Sequence, residues 1–365
     1  MSSKIISISS SRSDLGLLSI LVRRILKKKQ NIDLLICGSH LDKNFGKTEK
    51  DINREIKKIS LKLYTNTNFK KPNFKKKILN KFELVLKKKH YDYGIILGDR
   101  FESYLFSLAL KKRKIPIFHI SGGDTSLGSK DNIYRDKISK LAYLHFVKTK
   151  NQKRKLFKLG VNQKKIFIVG TLAVELLKKK IPKLNKKEKK IIKQKKPFCL
   201  ASFHPSTNSK NTNDNNLQPL LDSTKKFKNL IFIFTAPSHD GNGKSLVIKM
   251  KNFCKKNVNC FFNYNFGSEK YFYFLKKSKF VIGNSSSGII ESSLLKKYSI
   301  NILPRQKGRE HDKNVFHCKN YKKDISLKIN EILKRKSINF TSIFDRRKQI
   351  GLPSNFIIKK ILSVK

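Results

Sequence analysis

The chain has 365 residues, and a typical ~150 residues per domain therefore predicts two domains, enough for an enzyme. Its 83 Lys and Arg residues against 25 Asp and Glu residues give a formal net charge of +58, a value typical of polyanion-binding proteins. Since no run of about 18 apolar residues and no signal-peptide pattern is present, the sequence excludes an obvious membrane span and predicts a soluble, cytoplasmic protein.

The positive charge is chiefly lysine and is spread along the whole sequence, as in the KKK runs at 27–29, 75–77, 87–89 and 178–180. It accompanies many Ile, Asn and Phe residues, whose codons are rich in A and T, so an AT-rich genome accounts for it. A nucleic-acid surface concentrates arginine and aromatic residues in a recognised module, and the sequence has none. We therefore interpret the lysines as solvated surface residues and not as a nucleic-acid surface, although their positive electrostatic field favours an anionic substrate.

The cysteine pattern indicates neither a disulfide framework nor a zinc site, because no two cysteines form a CxxC pair. We expect reduced, mostly buried thiols. The five cysteines are Cys37, Cys199, Cys254, Cys260 and Cys318.

Apolar, β-branched runs alternate with longer segments of helical periodicity, which is typical of βαβ units and parallel sheets. In the first half the predicted strands are 4–9, 32–38, 93–98, 115–120, 144–149 and 165–170. The lysine-rich stretch 181–196 indicates an exposed helix or an interdomain connection. In the second half the predicted strands are 198–204, 230–237, 259–265, 279–284 and 300–304. Two Rossmann-like domains are therefore predicted.

Charged side chains follow several strands of the first half, at the carboxyl ends where ligands of parallel sheets bind. Arg12 follows the first strand, where a guanidinium can clamp a diphosphate. Asp99 and Arg100 follow the third strand in GDRFE, with a surface salt bridge as the alternative. After the fourth strand come two glycines in HISGGD, then Asp131 and Arg135, one helical turn apart on one face.

The stretch VIGNSSSGIIESSLL, residues 281–295, places small residues between a predicted strand and a helix predicted over IIESSLLKK, residues 289–297. Its backbone N–H groups and the hydroxyls of Ser285 and Ser286 are suited to bind a phosphate. Glu291 lies in the first helical turns, where a carboxylate can accept hydrogen bonds from both hydroxyls of a ribose. An ordinary N-cap is the alternative interpretation.

Two other strand ends of the second half carry candidate residues. His204 in SFHPST follows the first strand of that half, and Arg305 and Arg309 in LPRQKGRE follow the last predicted strand. A single histidine near a strand end is more often structural than catalytic. The neighbouring polar clusters favour a catalytic role here.

In chain order, GDRFE, HISGGD with a following DxxxR, FHP, IGNSSSGIIE and RQKGR resemble the motifs of the UDP-N-acetylglucosamine 2-epimerase family. The resemblance is to the hydrolysing branch that serves sialic and related nonulosonic acid biosynthesis, and it covers nearly the whole chain. It implies a GT-B-like α/β fold of two Rossmann-like domains with parallel sheets and an active-site cleft between them. It further implies an N-terminal domain of residues 1–180, a C-terminal domain of 181–352, and a C-terminal helix, 353–365, packing on the first domain.

The resemblance also implies roles for individual residues. The implied catalytic residues are Asp99, Asp131 and His204. The implied contacts to uridine diphosphate are Arg12, Ser285, Ser286, Arg305 and, on the ribose, Glu291. The implied sugar-side residues are His40, Arg100 and Arg135. Neither a metal nor a cofactor is expected; a UDP-sugar is the expected partner, and a homodimer or homotetramer the expected assembly.

The implied reaction is elimination of UDP to a 2-acetamidoglucal, followed by addition of water to give the manno sugar. Asp99 and Asp131 are expected to transfer protons, and His204 to protonate or hold the departing phosphate.

Three positions depart from the family pattern. Ser121 stands where some members have glutamate and others histidine, and serine has no useful acid or base pKa near neutrality. The acid–base role of that position is therefore dispensable in this branch, passes to Asp124 or a water, or is lost with a loss of activity. Leu303 and Pro304 replace a usual Gly and Asp, and GTLAVE stands at 170–175, where the family tends to have a glycine and an aspartate.

Three alternatives stay open at this point. A non-hydrolysing epimerase would keep UDP on the sugar, and a GT-B glycosyltransferase would need an acceptor. The lysine content leaves a polyanion-binding protein with an inactive site as the remote alternative. Within the hydrolysing branch, the sugar is either N-acetylglucosamine or a 2,4-diacetamido-2,4,6-trideoxy analogue.

Overall fold

The apolar runs of the sequence form parallel strands in a computed structural model that describes residues 3–41, 61–62, 73–129, 131–177, 181–205, 214–237 and 243–364. The strands are β1 Lys4–Ser9, β2 Asn31–Ile36, β3 Leu61–Lys62, β4 Tyr93–Leu97, β5 Ile117–Ile120, β6 Leu144–Val147, β7 Ile166–Ile168, β8 Phe198–Ser202, β9 Ile231–Thr235, β10 Cys260–Asn263, β11 Phe280–Gly283, β12 Tyr298–Ile302 and β13 Val315–Cys318.

Helices follow most of these strands. They are α1 Arg12–Lys27, α2 Phe74–Lys87, α3 Phe101–Lys112, α4 Asp131–Leu141, α5 Lys150–Lys158, α6 Lys186–Lys193, α7 Gln218–Thr224, α8 Gly243–Lys256, α9 Gly267–Lys277, α10 Ile290–Leu294, α11 Lys322–Lys334, α12 Arg347–Ile350 and α13 Pro353–Leu362. None of the helices in the described part of the chain is long and apolar enough to cross a bilayer.

The strands form two sheets, each with the strand order of a doubly wound nucleotide-binding fold. The first sheet runs β3-β2-β1-β4-β5-β6-β7 and the second β10-β9-β8-β11-β12-β13. Every ladder in both sheets is parallel among the described residues. The strand order reverses between β1 and β4 and between β8 and β11, and ligands of such folds bind at these reversals. The predicted fold of two parallel-sheet Rossmann-like domains is confirmed.

Each strand predicted from the sequence is present, with ends that differ by a few residues. Two strands were not predicted. The two-residue strand β3 is too short to give a pattern, and the VFHC sequence of β13 carries a histidine and is flanked by polar residues. Both lie at the edge of their sheet, where pairing on one side alone demands less apolar surface.

The chain divides into two units. The first comprises Met1–Asp124, Asp131–Glu175 and Asp345–Lys365, and the second comprises Thr125–Lys130 and Leu176–Phe344. The lysine-rich stretch predicted as a helix or a connection forms α6, whose Asn185 and Glu188 make a reciprocal capping box.

Both faces of the second sheet are buried, as the near-continuous apolar strands require. Along β8, Cys199 and Ala201 belong to one apolar cluster, and Phe198 and Leu200 belong to the other. This alternation follows from the two-residue period of a strand. The cysteines are free thiols: Cys37, Cys199, Cys260 and Cys318 are buried, and Cys254 is half-buried.

The C-terminal helix α13 is tied to the first unit through Glu175, the last residue of GTLAVE. One carboxylate oxygen of Glu175 accepts from the Ser354 backbone N–H and the other from the Ser354 hydroxyl, both at 2.9 Å. The Arg24 guanidinium of α1 lies 3.5 Å from the same carboxylate. Glu175 thus accepts a hydrogen bond from a backbone N–H in the first turn of α13, which has no acceptor within the helix.

We expect Glu175→Gln to lower the free energy of unfolding by about 2 kcal/mol, because the amide removes the charge that pairs with Arg24 and directs an N–H donor at the donor-only Arg24 guanidinium. Urea denaturation followed by circular dichroism measures the change. The matched control is Glu83→Gln, whose partner Lys112 has a side chain 67% exposed. That change should cost less than about 0.5 kcal/mol; equal losses would contradict the role of Glu175.

Candidate active site

The turn after β4 carries Asp99 and Arg100 and is shaped by Gly98. Gly98 has φ of +88°, a conformation that favours glycine, and its N–H donates to the Ile120 carbonyl at 3.1 Å. Arg100 occupies the N-cap position of α3, without a capping hydrogen bond from its side chain. The backbone therefore leaves the strand abruptly, and Asp99 is placed at the carboxyl end of β4.

Arg135 is the hub of the polar groups at this end of the first sheet. Its side chain is only 2% exposed, and its guanidinium donates to the Asp99 carboxylate and to the side chain of Asn132. It also donates to the Asp124 backbone carbonyl at 2.9 Å. Burial lowers the Arg135 pKa, but the carboxylates of Asp99, Asp124 and Asp131 raise it by more, so the net shift is upward. The structure thus brings these acids around one buried cation.

Asp124 is a buried carboxylate that the sequence patterns singled out only as a substitute for Ser121. The Lys148 ammonium lies 3.1 Å from it, and both side chains are buried. Ser121 has φ of +68°, which is uncommon for a residue other than glycine, and its N–H donates to the Phe146 carbonyl. A third carboxylate therefore lies close to Arg135.

Asp14 is a second buried acid that sequence analysis did not assign a role. It accepts from the Ser11 hydroxyl at 2.8 Å, at the start of α1. Burial raises the pKa of Asp14 to about 7, and the positive charge of Arg100 opposes this shift. Near neutral pH, Asp14 therefore carries a proton for part of the time.

Arg12 and His40, predicted as substrate contacts, lie at the ends of β1 and β2. Arg12 is the first residue of α1 and is half-buried. His40 is fully buried, and its Nε2 lies 2.8 Å from the Ser9 hydroxyl. Their side chains thus start from the same edge of the first sheet as Asp99.

The serine loop, residues 283–288, begins at the last residue of β11 in the second unit. Gly283 has φ of +135°, and a Cβ there would lie 1.9 Å from the Ser202 carbonyl oxygen, so no other residue fits. The Ser285 hydroxyl accepts from the Ser287 N–H at 3.3 Å, as in an N-cap, and the Ser287 hydroxyl lies 2.6 Å from the Tyr271 phenol. The loop is therefore anchored by its own hydroxyls.

The helix after the serine loop is shorter than the sequence predicts. It spans Ile290–Leu294, because Lys296 adopts φ of +53° and β12 begins at Tyr298. Glu291 lies in its first turn. A five-residue helix aligns few peptide dipoles, so an anion at this loop would be bound by the loop's N–H groups and hydroxyls more than by a macrodipole.

Asn284 joins His204 to Arg305, and the sequence patterns did not identify it. Its side chain is buried and forms two hydrogen bonds with the backbone of His204. Asn284 Oδ1 accepts from the His204 N–H at 2.6 Å, and Asn284 Nδ2 donates to the His204 carbonyl at 2.9 Å. The Asn284 carbonyl accepts from Arg305 at 3.2 Å and from Gln306 at 2.9 Å. One asparagine therefore aligns the predicted catalytic histidine with a predicted phosphate-binding arginine.

The loop of Arg305 packs closely against Gly128. The Leu127 N–H donates to the Lys307 carbonyl at 3.0 Å, and a Cβ on Gly128 would lie 2.5 Å from the Arg305 Cα. The Leu303–Pro304 peptide bond that precedes Arg305 is cis. A side chain at position 128 would therefore displace the Arg305 backbone.

Within the described residues, no group of three or more His, Cys, Asp or Glu side chains is arranged to hold a metal ion. The residues that sequence analysis missed are buried partners of the predicted ones. Their signal lay in the short motifs themselves, since Asn284 is part of IGNSSSG and Asp124 of HISGGD. Sequence alone could not show which backbone groups they bind.

Comparison with known proteins shows one family. The model of the UDP-N-acetylglucosamine 2-epimerase family matches residues 24–347. The chain is 35% identical over 323 residues to the hydrolysing GDP/UDP-N,N'-diacetylbacillosamine 2-epimerase of Campylobacter jejuni, covering 86% of this chain and 83% of that protein. It is 31% identical to polysialic acid biosynthesis protein P7 of Escherichia coli, covering 86% and 82%.

The fold is likewise similar to that of a solved structure. The UDP-GlcNAc 2-epimerase of Methanocaldococcus jannaschii, crystallised with UDP-GlcNAc and UDP, superposes with a TM-score of 0.79 over 99% of this chain and 100% of that chain. The sequence identity is 18%, so the likeness establishes the fold alone.

His119 gives the first unit a measurable dependence on pH. Burial lowers the pKa of His119 to about 4, and the neighbouring buried His145 has a pKa lowered to about 3. Unfolded histidine takes up a proton near pH 6.5, so the neutral folded form loses stability as pH falls below that value. Burial of Asp14 acts in the opposite sense, because its raised pKa adds stability as pH falls.

We expect the difference in unfolding free energy between wild type and His119→Gln to narrow by about 2 kcal/mol between pH 7 and pH 5. The Asp14 contribution cancels in this difference because both proteins contain it. Urea titrations at half-unit pH intervals provide the measurement. Parallel stability curves for the two proteins would contradict a neutral, buried His119.

Proposed function

The chain belongs to the UDP-N-acetylglucosamine 2-epimerase family, and we propose that it is a hydrolysing 2-epimerase. In the proposed reaction, a UDP-linked 2-acetamido sugar of gluco configuration and water give UDP and the free manno sugar. The hydrolysing C. jejuni relative, similar over most of this chain, supports the hydrolysing outcome.

The arrangement of Asp99 and Asp131 around Arg135 is the observation that carries the proposal. The reaction requires one group to remove the C2 proton and another to return a proton on the opposite face. Asp99 accepts a charge-assisted hydrogen bond from the buried Arg135, and Asp131 lies one turn before Arg135 on α4. Asp131 is close enough to Arg135 to raise its pKa, and two acids near one cation suit paired proton transfers.

In the first step the base removes the C2 proton, the C1–O bond to the diphosphate breaks, and UDP leaves with the electron pair. The product of this step is a 2-acetamidoglucal, with a double bond between C1 and C2. Water then bonds through its oxygen to C1 and loses one proton to a carboxylate, while C2 receives a proton on the face opposite to the one that lost it. We assign the proton transfers to Asp99 and Asp131, and we assign protonation or binding of the leaving phosphate to His204.

We propose that Asp124 takes the acid–base role that glutamate or histidine has at the position of Ser121 in other members of the family. Its carboxylate pairs with Lys148, and its carbonyl accepts from Arg135, so it is fixed near the other acids. The sugar-side contacts are assigned to His40, Arg100 and Arg135.

UDP binding is assigned to Arg12, Ser285, Ser286, Glu291 and Arg305. Asn284 supports this assignment because its side chain ties the serine loop to the His204 backbone and its carbonyl accepts from Arg305. Arginine neutralises diphosphate with paired N–H donors, which a lysine-covered surface does not reproduce.

The relatives favour two candidate sugars. The C. jejuni protein is named for N,N'-diacetylbacillosamine, a 2,4-diacetamido-2,4,6-trideoxy sugar, and the E. coli protein for polysialic acid biosynthesis. The first relative is the more similar, so we propose the UDP-linked diacetamido sugar as the preferred substrate and UDP-GlcNAc as the second. A homodimer or homotetramer and a cytoplasmic location stay predictions.

Product analysis tests the proposed reaction. With either UDP-sugar and no acceptor, we expect ¹H NMR in D₂O to show free UDP and a free manno sugar with deuterium at C2. A product that keeps UDP attached would indicate a non-hydrolysing epimerase, and turnover that depends on an acceptor would indicate a glycosyltransferase. Asp99→Asn and Asp131→Asn should each slow UDP release more than about tenfold. The control Asp136→Asn changes a half-exposed acid next to Arg135 and should retain activity.

Substitution of Arg305 distinguishes a UDP site from general attraction to the positive surface. We expect Arg305→Ala to weaken UDP binding about tenfold or more by isothermal titration calorimetry. The charge-matched control is Arg335→Ala in the same unit, which pairs with Glu331 at an exposed position and should change affinity less than about twofold. Equal effects of both variants, with a steep salt dependence, would favour the polyanion-binding alternative.

A further inference from the structure

The carbonyl group of Gly98 lies one residue beyond β4, where the strand ladder supplies no further partner. A part-buried carbonyl gains stability from a hydrogen bond, so its partner shows what holds the turn. That partner is His119 of β5, whose Nε2 lies 2.8 Å from the Gly98 oxygen. The Gly98 N–H donates to the Ile120 carbonyl, so residues of β5 bind both the N–H and the carbonyl of Gly98.

The hydrogen bonds of His119 determine its tautomer. A carbonyl oxygen only accepts, so Nε2 must carry the hydrogen. Because burial keeps the ring neutral, Nδ1 carries none and accepts from the Ser139 hydroxyl at 3.0 Å. Ser139 of α4 thus orients the ring and keeps its donor directed at Gly98.

The first glycine of HISGG leaves space for this pair. A Cβ on Gly122 would lie 2.9 Å from both the His119 Nδ1 and the Ser139 oxygen. Real Cβ atoms are essentially never so close, so a side chain at 122 would break the hydrogen bond or move the ring. The glycine and the histidine of this motif therefore serve one arrangement.

We propose that His119 is a positioning residue for Asp99, holding through the Gly98 carbonyl the peptide that carries Asp99. Arg135 holds the carboxylate of the same aspartate. His119 is fully buried, so it acts through Gly98 and does not contact the substrate. The role rests on the proposed function for its kinetic consequence, because a small displacement of a reacting group slows a reaction.

Two substitutions separate the two hydrogen bonds of His119. A glutamine amide nitrogen can occupy the position of Nε2 and donate to Gly98, whereas an asparagine amide reaches only the position of Nδ1, next to Ser139. We expect His119→Asn to lower kcat about 100-fold with KM changed less than about threefold. We expect His119→Gln to retain kcat within about threefold, with the midpoints of its pH–rate profile unchanged.

Backbone hydrogen exchange gives a readout that needs no turnover. The amides of Asp99 and Arg100 should exchange about tenfold faster in His119→Asn than in wild type or His119→Gln, because opening of the turn costs less. Ser139→Ala, which leaves the ring in place but frees its tautomer, should change kcat and exchange in the same direction by a smaller factor. It provides the test if His119→Asn does not fold.

Equal losses in the glutamine and asparagine variants would overturn the proposal in favour of ring packing alone. A shifted pH–rate profile in His119→Gln would overturn it in favour of acid–base chemistry. If the wild type releases no UDP, the proposed function fails, and exchange alone decides the positioning role: unchanged exchange at Asp99 in His119→Asn, or in Ser139→Ala if that variant replaces it, would refute it.

Discussion

Each parallel strand ends with backbone groups that have no further strand partner, and satisfying them is the constraint on which both candidate sites depend. In the first unit, His119 donates to the Gly98 carbonyl and Arg135 to the Asp124 carbonyl. In the second unit, the Asn284 side chain bonds to both backbone groups of His204. Water could satisfy such groups only by entering these part-buried turns. Side chains do so instead, and they fix the turns in one conformation.

This constraint explains why the residues beside the predicted catalytic groups are buried and polar. A group that must keep a fixed position needs its backbone held as well as its side chain, and the carboxyl end of a parallel sheet leaves that backbone unsupported. For Asp99 two residues meet these needs: Arg135 bonds to its carboxylate, and His119 holds the Gly98 carbonyl that precedes it. In the second unit, Asn284 holds the backbone of His204, and its carbonyl accepts from the side chain of Arg305. Stability and proposed catalysis therefore depend on the same side chains.

Sequence patterns predicted the two parallel sheets because long β-branched runs separated by helical segments admit few other folds. The motifs at strand ends identified Asp99, Arg135 and the serine loop for the same reason, since the polarity of a parallel sheet collects those ends at one edge. The patterns could not identify His119 or Asn284 as partners, because the Gly98 and His204 backbone groups they bind lie 21 and 80 residues away in sequence. They also overestimated α10, whose end is set by the start of β12 rather than by helix propensity.

The net charge of +58 and the charges at the strand ends follow different physical rules. Surface lysines such as Lys112 are solvated and contribute little to folding, so drift in composition can add them without consequence. A buried charge is costly unless it is paired, which keeps Lys148 matched to Asp124 and Arg135 to Asp99. The lysine surface therefore attracts any anion, whereas selection among anions must come from the few groups held in fixed pairs. For this reason the long-range field and the specificity of the site can vary independently in such a chain.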